Sequence, residues 1–205
     1  HFFACEYAAA WRWFKDAEQF TAFIPGHVHM LDYHLYSALS LTVPLKAGSM
    51  TEELRLQLQP HLERIVTWSN ENTKTFADKE TLLRAELCRL EGDTAQAFEL
   101  FEKAVTLSRD GQFPHINALA CELAARMGYA RNMPFAGDSY IKGAIAAWDR
   151  WGAGAKVHQL ETQYPALASH ASQTALSTVS FEQSAVIGDL QSMVTVMRAL
   201  TEEIN

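Results

Sequence analysis

Apolar side chains recur every three to four positions along almost the whole chain. No run alternates apolar and polar residues as a half-buried strand does, so the pattern predicts an all-α fold. The stretch 1–23 reads as a short helical pair, broken near Phe14-Lys15-Asp16 and ended by Pro25-Gly26. A helix over about 28 to 42 follows, then a connector over 44 to 50. Thr51 has the chemistry of an N-cap, and Glu52 and Glu53 complement the helix dipole in the first turn. That helix is expected to run to about Ser69, with Pro60 placed to kink it. The polar stretch 70 to 78, "NENTKTFAD", reads as a loop. Helices ending at Gly92 and Gly111 come next, where glycine suits a C-terminal cap. Two more follow, opened by Pro114 and Pro134, and a short one occupies about 155 to 165. Residues 166 to 179 are small, patternless and rich in Ser, Thr and Ala, and read as a linker. A last helix is expected over 180 to 205.

Helix, short turn, helix, repeated along a chain calls for a test of internal repeats. The shift that places Leu83 on Ile116 also aligns Ala85 with Ala118, Cys88 with Cys121 and Leu90 with Leu123. A longer shift aligns Phe101 with Tyr140 and Val105 with Ala144. Ala97, Phe101 and Ala104 have the small-large-small spacing of tetratricopeptide (TPR) repeats, in which small residues let helices approach and the aromatic fills the gap. The expected architecture is therefore a TPR-like superhelical array of antiparallel helical hairpins over 1–165, a linker over 166–179 and a long C-terminal helix over 180–205. Its repeat core would include Ala85, Ala97, Phe101, Ala104, Ala118, Tyr140, Ala144, Trp148 and Trp151.

Composition narrows the function classes. The 205 residues carry a formal charge of -7 and no basic patch is expected, which argues against nucleic acid as a ligand. Gly, at 10, and Pro, at 6, are scarce, as suits helices. No apolar run approaches a bilayer span. Cys5, Cys88 and Cys121 are odd in number and far apart, so buried reduced thiols in a cytoplasmic protein are expected rather than disulfides or a zinc site. The opening residue and the final "TEEIN" read as cuts through a longer protein.

Three stretches invite a chemical reading. Gly152-Ala153-Gly154-Ala155-Lys156 has glycines and a lysine, but not phosphate-loop spacing, and no Ser or Thr follows. Ala144, Trp148 and Trp151 share a helical face just before it, so Gly152 is expected to end that helix. His27, His29, Asp32 and His34 could suggest a metal site, yet no second cluster supplies the remaining ligands. Neither metal nor cofactor is expected. The acidic pairs Glu52-Glu53 and Glu202-Glu203 read as solvated helix faces rather than acid–base machinery. "WRWF" over 11 to 14, with Phe20 and Phe23, reads as core or as an exposed repeat edge.

The segments "DYHLYSALSL" (32–41), "HLERIVTWSNENTKTF" (61–76), the run 85–126 and "YIKGAIAAWDRWGAGAKVHQLETQYP" (140–165) resemble one family. It is the TPR-like helical region that follows the AAA-type ATPase domain in large bacterial hybrid Ser/Thr-kinase–ATPase–sensor histidine kinases and precedes their GAF and histidine-kinase modules. The marks are Tyr140, Ala144, Trp148, Trp151-Gly152-Ala153, Lys156-Val157, Leu160-Glu161 and Tyr164-Pro165. The resemblance implies a non-catalytic protein-interaction and signal-relay region in a two-component system, with ATP-binding and kinase chemistry elsewhere in the parent. The expected partner is a protein or the parent's own ATPase or kinase domains.

In the last helix, Val186, Leu190, Met193, Met197, Leu200 and Ile204 are spaced 4, 3, 4, 3, 4, an a/d coiled-coil seam over about two and a half heptads. A homodimer through this seam and packing of the helix on its own repeats are both open. Two other functions remain: a ligand- or peptide-sensing helical domain of an ATPase-linked transcription regulator, and a helical metal-dependent enzyme.

Overall fold

The computed structural model describes residues 1–23 and 26–167. Two compact units divide the chain, His1–Leu160 and Glu161–Asn205. Described residues are helical or in turns, with no strand among them, and the fold is all-α. The candidate seam from Val186 to Ile204, the linker beyond Leu167 and the last helix lie outside the described residues.

The first unit opens with a 3-10 turn at Phe2–Ala4 and helix α1 (Tyr7–Ala17), followed by a 3-10 segment at Glu18–Phe23. Helix α1 runs unbroken through Phe14-Lys15-Asp16, where the sequence suggested a break. Lys15 and Asp16 are exposed, so periodicity lapses there without the backbone yielding. Helix α2 is His29–Thr42 and α3 is Glu52–Glu71, and α3 passes through Pro60 as one helix. Thr51 caps α3 as expected, its hydroxyl accepting from the Leu54 N–H at 3.2 Å.

The stretch read as a loop is not one. Helix α4 spans Thr73–Glu91, so Asn72 alone separates α3 from α4. Asn72 serves both helices. Its N–H donates to the Trp68 carbonyl at 2.8 Å, closing α3. Its side-chain oxygen accepts from the Thr75 N–H at 3.2 Å, opening α4. Polar, cap-forming residues look alike in a loop and in a one-residue joint.

Helices α5 (Thr94–Asp110), α6 (Pro114–Ala130), α7 (Pro134–Arg150) and α8 (Gly154–Gln163) follow. Two or three residues join each to the one before, too few for packed neighbours to be anything but antiparallel. The joints share one geometry. Gly92, Gln112, Asn132 and Gly152, at equal intervals along the chain, have left-handed backbones at φ +88°, +57°, +57° and +79°. Gly111, expected as a cap, is right-handed, and Gln112 takes the left-handed place beside it. After each left-handed residue, the next N–H reaches back over the turn: Asp93 to Cys88, Phe113 to Ser108, Met133 to Gly128, Ala153 to Trp148. This is the Schellman closure, which satisfies carbonyls that a helix end would leave bare.

From α4 to α8, helices two apart in sequence are therefore related by the interval from Gly92 to Asn132, not by the shorter one from Leu83 to Ile116 that matched buried positions. The two registers differ by close to two helical turns, so either one superposes buried faces. In the longer register Phe101 meets Ile141, Ala104 meets Ala144, and Val105 meets Ile145, all buried.

Consecutive helices from α1 to α7 pack on each other, and α2 also packs on α4, and α4 on α6. Helix α6 is the most enclosed. Its Ala118, Ala120, Ala124 and Ala125 are fully buried, letting neighbours close in. At α6–α7, a Cβ on Gly128 would lie 3.2 Å from the Gly137 nitrogen, and one on Gly137 would lie 2.6 Å from the Tyr129 ring. In the second unit, the described residues close α8 and turn at Tyr164, whose carbonyl accepts from the Leu167 N–H at 2.9 Å.

Candidate interaction surface

The expected repeat core is largely where the pattern placed it. Ala85, Ala97, Phe101, Ala104, Ala118, Ala144 and Trp148 have no exposed surface. Two assignments need correction. Tyr140 is only half-buried, and its hydroxyl reaches outward to donate to the Glu102 carboxylate. Trp151 is 45% exposed, because it follows the last residue of α7 and leaves the buried face there. Gly152 ends that segment with a left-handed backbone, as the sequence indicated. The buried-thiol expectation holds for Cys121, whose thiol burial pushes up to about 12, whereas Cys88 is half-buried and Cys5 is exposed.

The histidines do not assemble as their spacing suggested. The His27 ring stacks on His29, and His29 lies 3.7 Å from Asp32. His34 turns the other way, its Nδ1 3.0 Å from Nδ1 of His61 on α3. No group of three or more His, Cys, Asp or Glu side chains among the described residues is placed to hold a metal ion. Burial holds both His34 and His61 near 4; His61 and Arg64 add to this at His34, while Glu18 opposes it at His61. The pair borders a groove of about 480 Å³, together with Trp11, Tyr33 and Pro60. Of the aromatic run, Trp13, Phe20 and Phe23 are exposed.

The surface with the most built-in chemistry was not visible in sequence. Where α2, α4 and α6 end side by side, they enclose a groove of about 340 Å³. Its walls are apolar: Val43, Leu45 and Ala47 after α2, and Leu123, Met127 and Ala130 on α6. Its charges are Lys46, Arg89, Arg126 and Arg131, with Glu86 as the acidic member.

Arg89 and Glu86 form a clasp. The Arg89 Nε and one terminal nitrogen donate to the two Glu86 oxygens at 2.9 and 2.7 Å. The guanidinium also donates to the carbonyls of Leu45 and Thr42, each at 2.8 Å. All three nitrogens of the guanidinium donate, so α4 pins the end of α2 and the connector beyond it. Backbone bonds from Gly48 to the Arg89 carbonyl, at 3.1 Å, and from Met50 to the Leu90 carbonyl, at 3.0 Å, continue the seam.

Arg126 reaches the Val43 carbonyl at 3.1 Å, a cation placed against the negative end of α2. Glu86 is matched by Arg89, which leaves the groove with the charges of Lys46, Arg126 and Arg131 in excess. The chain as a whole has a charge of -7. Cations at helix ends explain part of this cluster. They do not explain why three gather around an apolar floor. The expectation of no basic patch thus needs amending, since residues 46, 89, 126 and 131 are dispersed in sequence and joined only by the fold.

A groove of this kind can take an apolar side chain with a carboxylate beside it. It offers donors and positive charge, while its one carboxylate is already matched. No helix among the described residues is long and apolar enough to cross a membrane. Comparison with protein-family models, with curated proteins and with solved structures gives no match to this chain.

Proposed function

We propose that the chain is a non-catalytic protein-interaction and signal-relay region of a multidomain sensor histidine kinase, its helical hairpins stacked as a TPR-like superhelix. It would work in the cytoplasm, reading a partner protein or the parent's own ATPase or kinase domain, and passing the change on through the segment after residue 165. A homodimer through Val186, Leu190, Met193, Met197, Leu200 and Ile204 belongs to the same reading.

The observation that carries the interaction role is the groove at the ends of α2, α4 and α6. It is apolar-walled and cation-rimmed on an acidic chain, and the packing of α2 and α6 on α4 holds it in place. Charge complementarity of this sort steers encounter and selects partners. The kinase context rests on the resemblance alone.

Selection of random peptides on the full chain tests the reading. Enriched sequences should carry Asp or Glu beside Leu, Ile or Met, and their binding should weaken as salt is raised. A consensus without acidic residues, or binding indifferent to salt, would remove the groove from the account. The sequence flanking this chain in its gene tests the kinase context: GAF and histidine-kinase modules downstream support it, and a DNA-binding domain supports a transcription regulator instead.

A further inference from the structure

The residues preceding α1 sit on the protein as a bound peptide would. His1, Ala4, Cys5 and Glu6 are exposed, while Phe2 is buried and Phe3 half-buried. The backbone bonds of this turn are local: Ala4 and Glu6 to the His1 carbonyl, and Cys5 to that of Phe2. Beyond the His1 ring stacked on Trp13 and a Gln159 amide donating to the Cys5 Sγ at 3.5 Å, two rings make most of the attachment. Phe3 lies edge-on to Tyr36 of α2, with centroids 5.3 Å apart, and to Trp148 of α7 at 5.5 Å, and it packs against Trp151 at 5.7 Å. Phe2 packs on the same Tyr36 at 5.0 Å and on Tyr7 at 5.5 Å.

The receiving surface is organised without the turn's help. The Trp148 indole N–H donates to the Glu122 carboxylate on α6, whose other oxygen accepts from Lys156 on α8 at 2.9 Å. Trp151 is backed by His115, with ring centroids 5.2 Å apart. Tyr36 belongs to a helix whose face is buried on α4. Edge-on ring contacts at such separations reward aromatic side chains over aliphatic ones of equal area. The turn also stores a cost: Cys5, which is not glycine, sits at φ +61°.

We propose that Tyr36, Trp148 and Trp151 form a binding site for a short peptide bearing two adjacent aromatic side chains, occupied here by Phe2 and Phe3 of the same chain. The intramolecular occupant competes with any partner segment of that chemistry. This site is separate from the cationic groove and does not depend on what that groove binds.

The test uses the full chain with Phe2→Ser and Phe3→Ser together, and the synthetic hexapeptide His-Phe-Phe-Ala-Ser-Glu as probe. The Trp148 and Trp151 indole N–H resonances report the site. The substituted chain should keep its helical circular dichroism. Titration with the hexapeptide should shift both resonances saturably, and the wild-type chain should bind at least tenfold more weakly because its site is filled. A peptide with Ser for both Phe residues should do nothing. If the doubly substituted chain loses its helical signal, the rings are integral core and the proposal fails. It fails equally if the chain stays folded and millimolar hexapeptide shifts neither resonance, or if wild-type and substituted chains bind alike.

Discussion

Single side chains decide whether the groove exists. Glu86 is 1% exposed on its side chain and depends on Arg89 for its charge balance. Arg89→Ala strands that carboxylate and frees two carbonyls, and removing one partner of a buried pair typically costs about 3 kcal/mol or more. Urea denaturation should show a loss of that size. Arg89→Lys should recover only part of it, since an ammonium cannot span both carboxylate oxygens and two carbonyls at once. The His34–His61 pair sets a pH limit. Both rings ordinarily titrate near 6.5 and are held near 4 in the fold. Between these values the unfolded chain binds more protons than the folded one. The stability they contribute is therefore complete above about pH 6.5 and is lost as pH falls toward 4. The melting temperature should fall over that window, and His34→Gln should flatten the fall by roughly 1–2 kcal/mol after discounting for the partial exposure of His34. An equally steep fall in the variant would show that His34 does not carry the pH dependence. At this scale the sequence was partly legible. Alanines and Phe101 at helical spacing are core, as periodicity says. Tyr140 and Trp151 carry equally strong patterns, but one reaches outward to Glu102 and the other lies past the end of α7.

Helices and their joints are where local chemistry speaks most clearly. Thr51, Gly92 and Gly152 were readable because capping depends on one residue and its near neighbours. The α3–α4 joint was not, since Asn72 is both an end and a beginning. The even spacing of the joints was hidden because two of the four left-handed positions are Gln112 and Asn132 rather than glycine. This yields a paired expectation. Gln112→Gly should stabilise the chain by a few tenths to about 1 kcal/mol, because a left-handed backbone strains a residue with a Cβ. Gly152→Ala should destabilise it by about 1 kcal/mol for the same reason. Thermal melts of the two variants check this directly, and shifts of the same sign would contradict it. The α6–α7 contact is tighter still. Gly137→Ala would drive a methyl into the Tyr129 ring, which is held in place by its hydroxyl bond to Asp138 at 2.7 Å. The expected cost is about 1–3 kcal/mol in urea denaturation.

For the first unit as a whole, the groove follows from which helix ends come together. Lys46, Arg89, Arg126 and Arg131 come from the α2–α3 connector, α4, α6 and the α6–α7 joint, and no linear reading of charge joins them. An all-α chain of hairpins could be foreseen, because periodicity is written along each helix. The groove could not, because it depends on α2, α4 and α6 ending at one place. The central claim is that this groove docks an acidic, apolar segment. The most direct test is the dissociation constant of a library-selected acidic peptide for the wild-type chain and for a Lys46→Glu, Arg131→Glu variant of unchanged helical content. Reversing two rim charges should weaken binding at least tenfold, equivalent to about 1.4 kcal/mol, and the difference should shrink in high salt. Equal affinity for the two chains would place the interaction elsewhere and contradict the account.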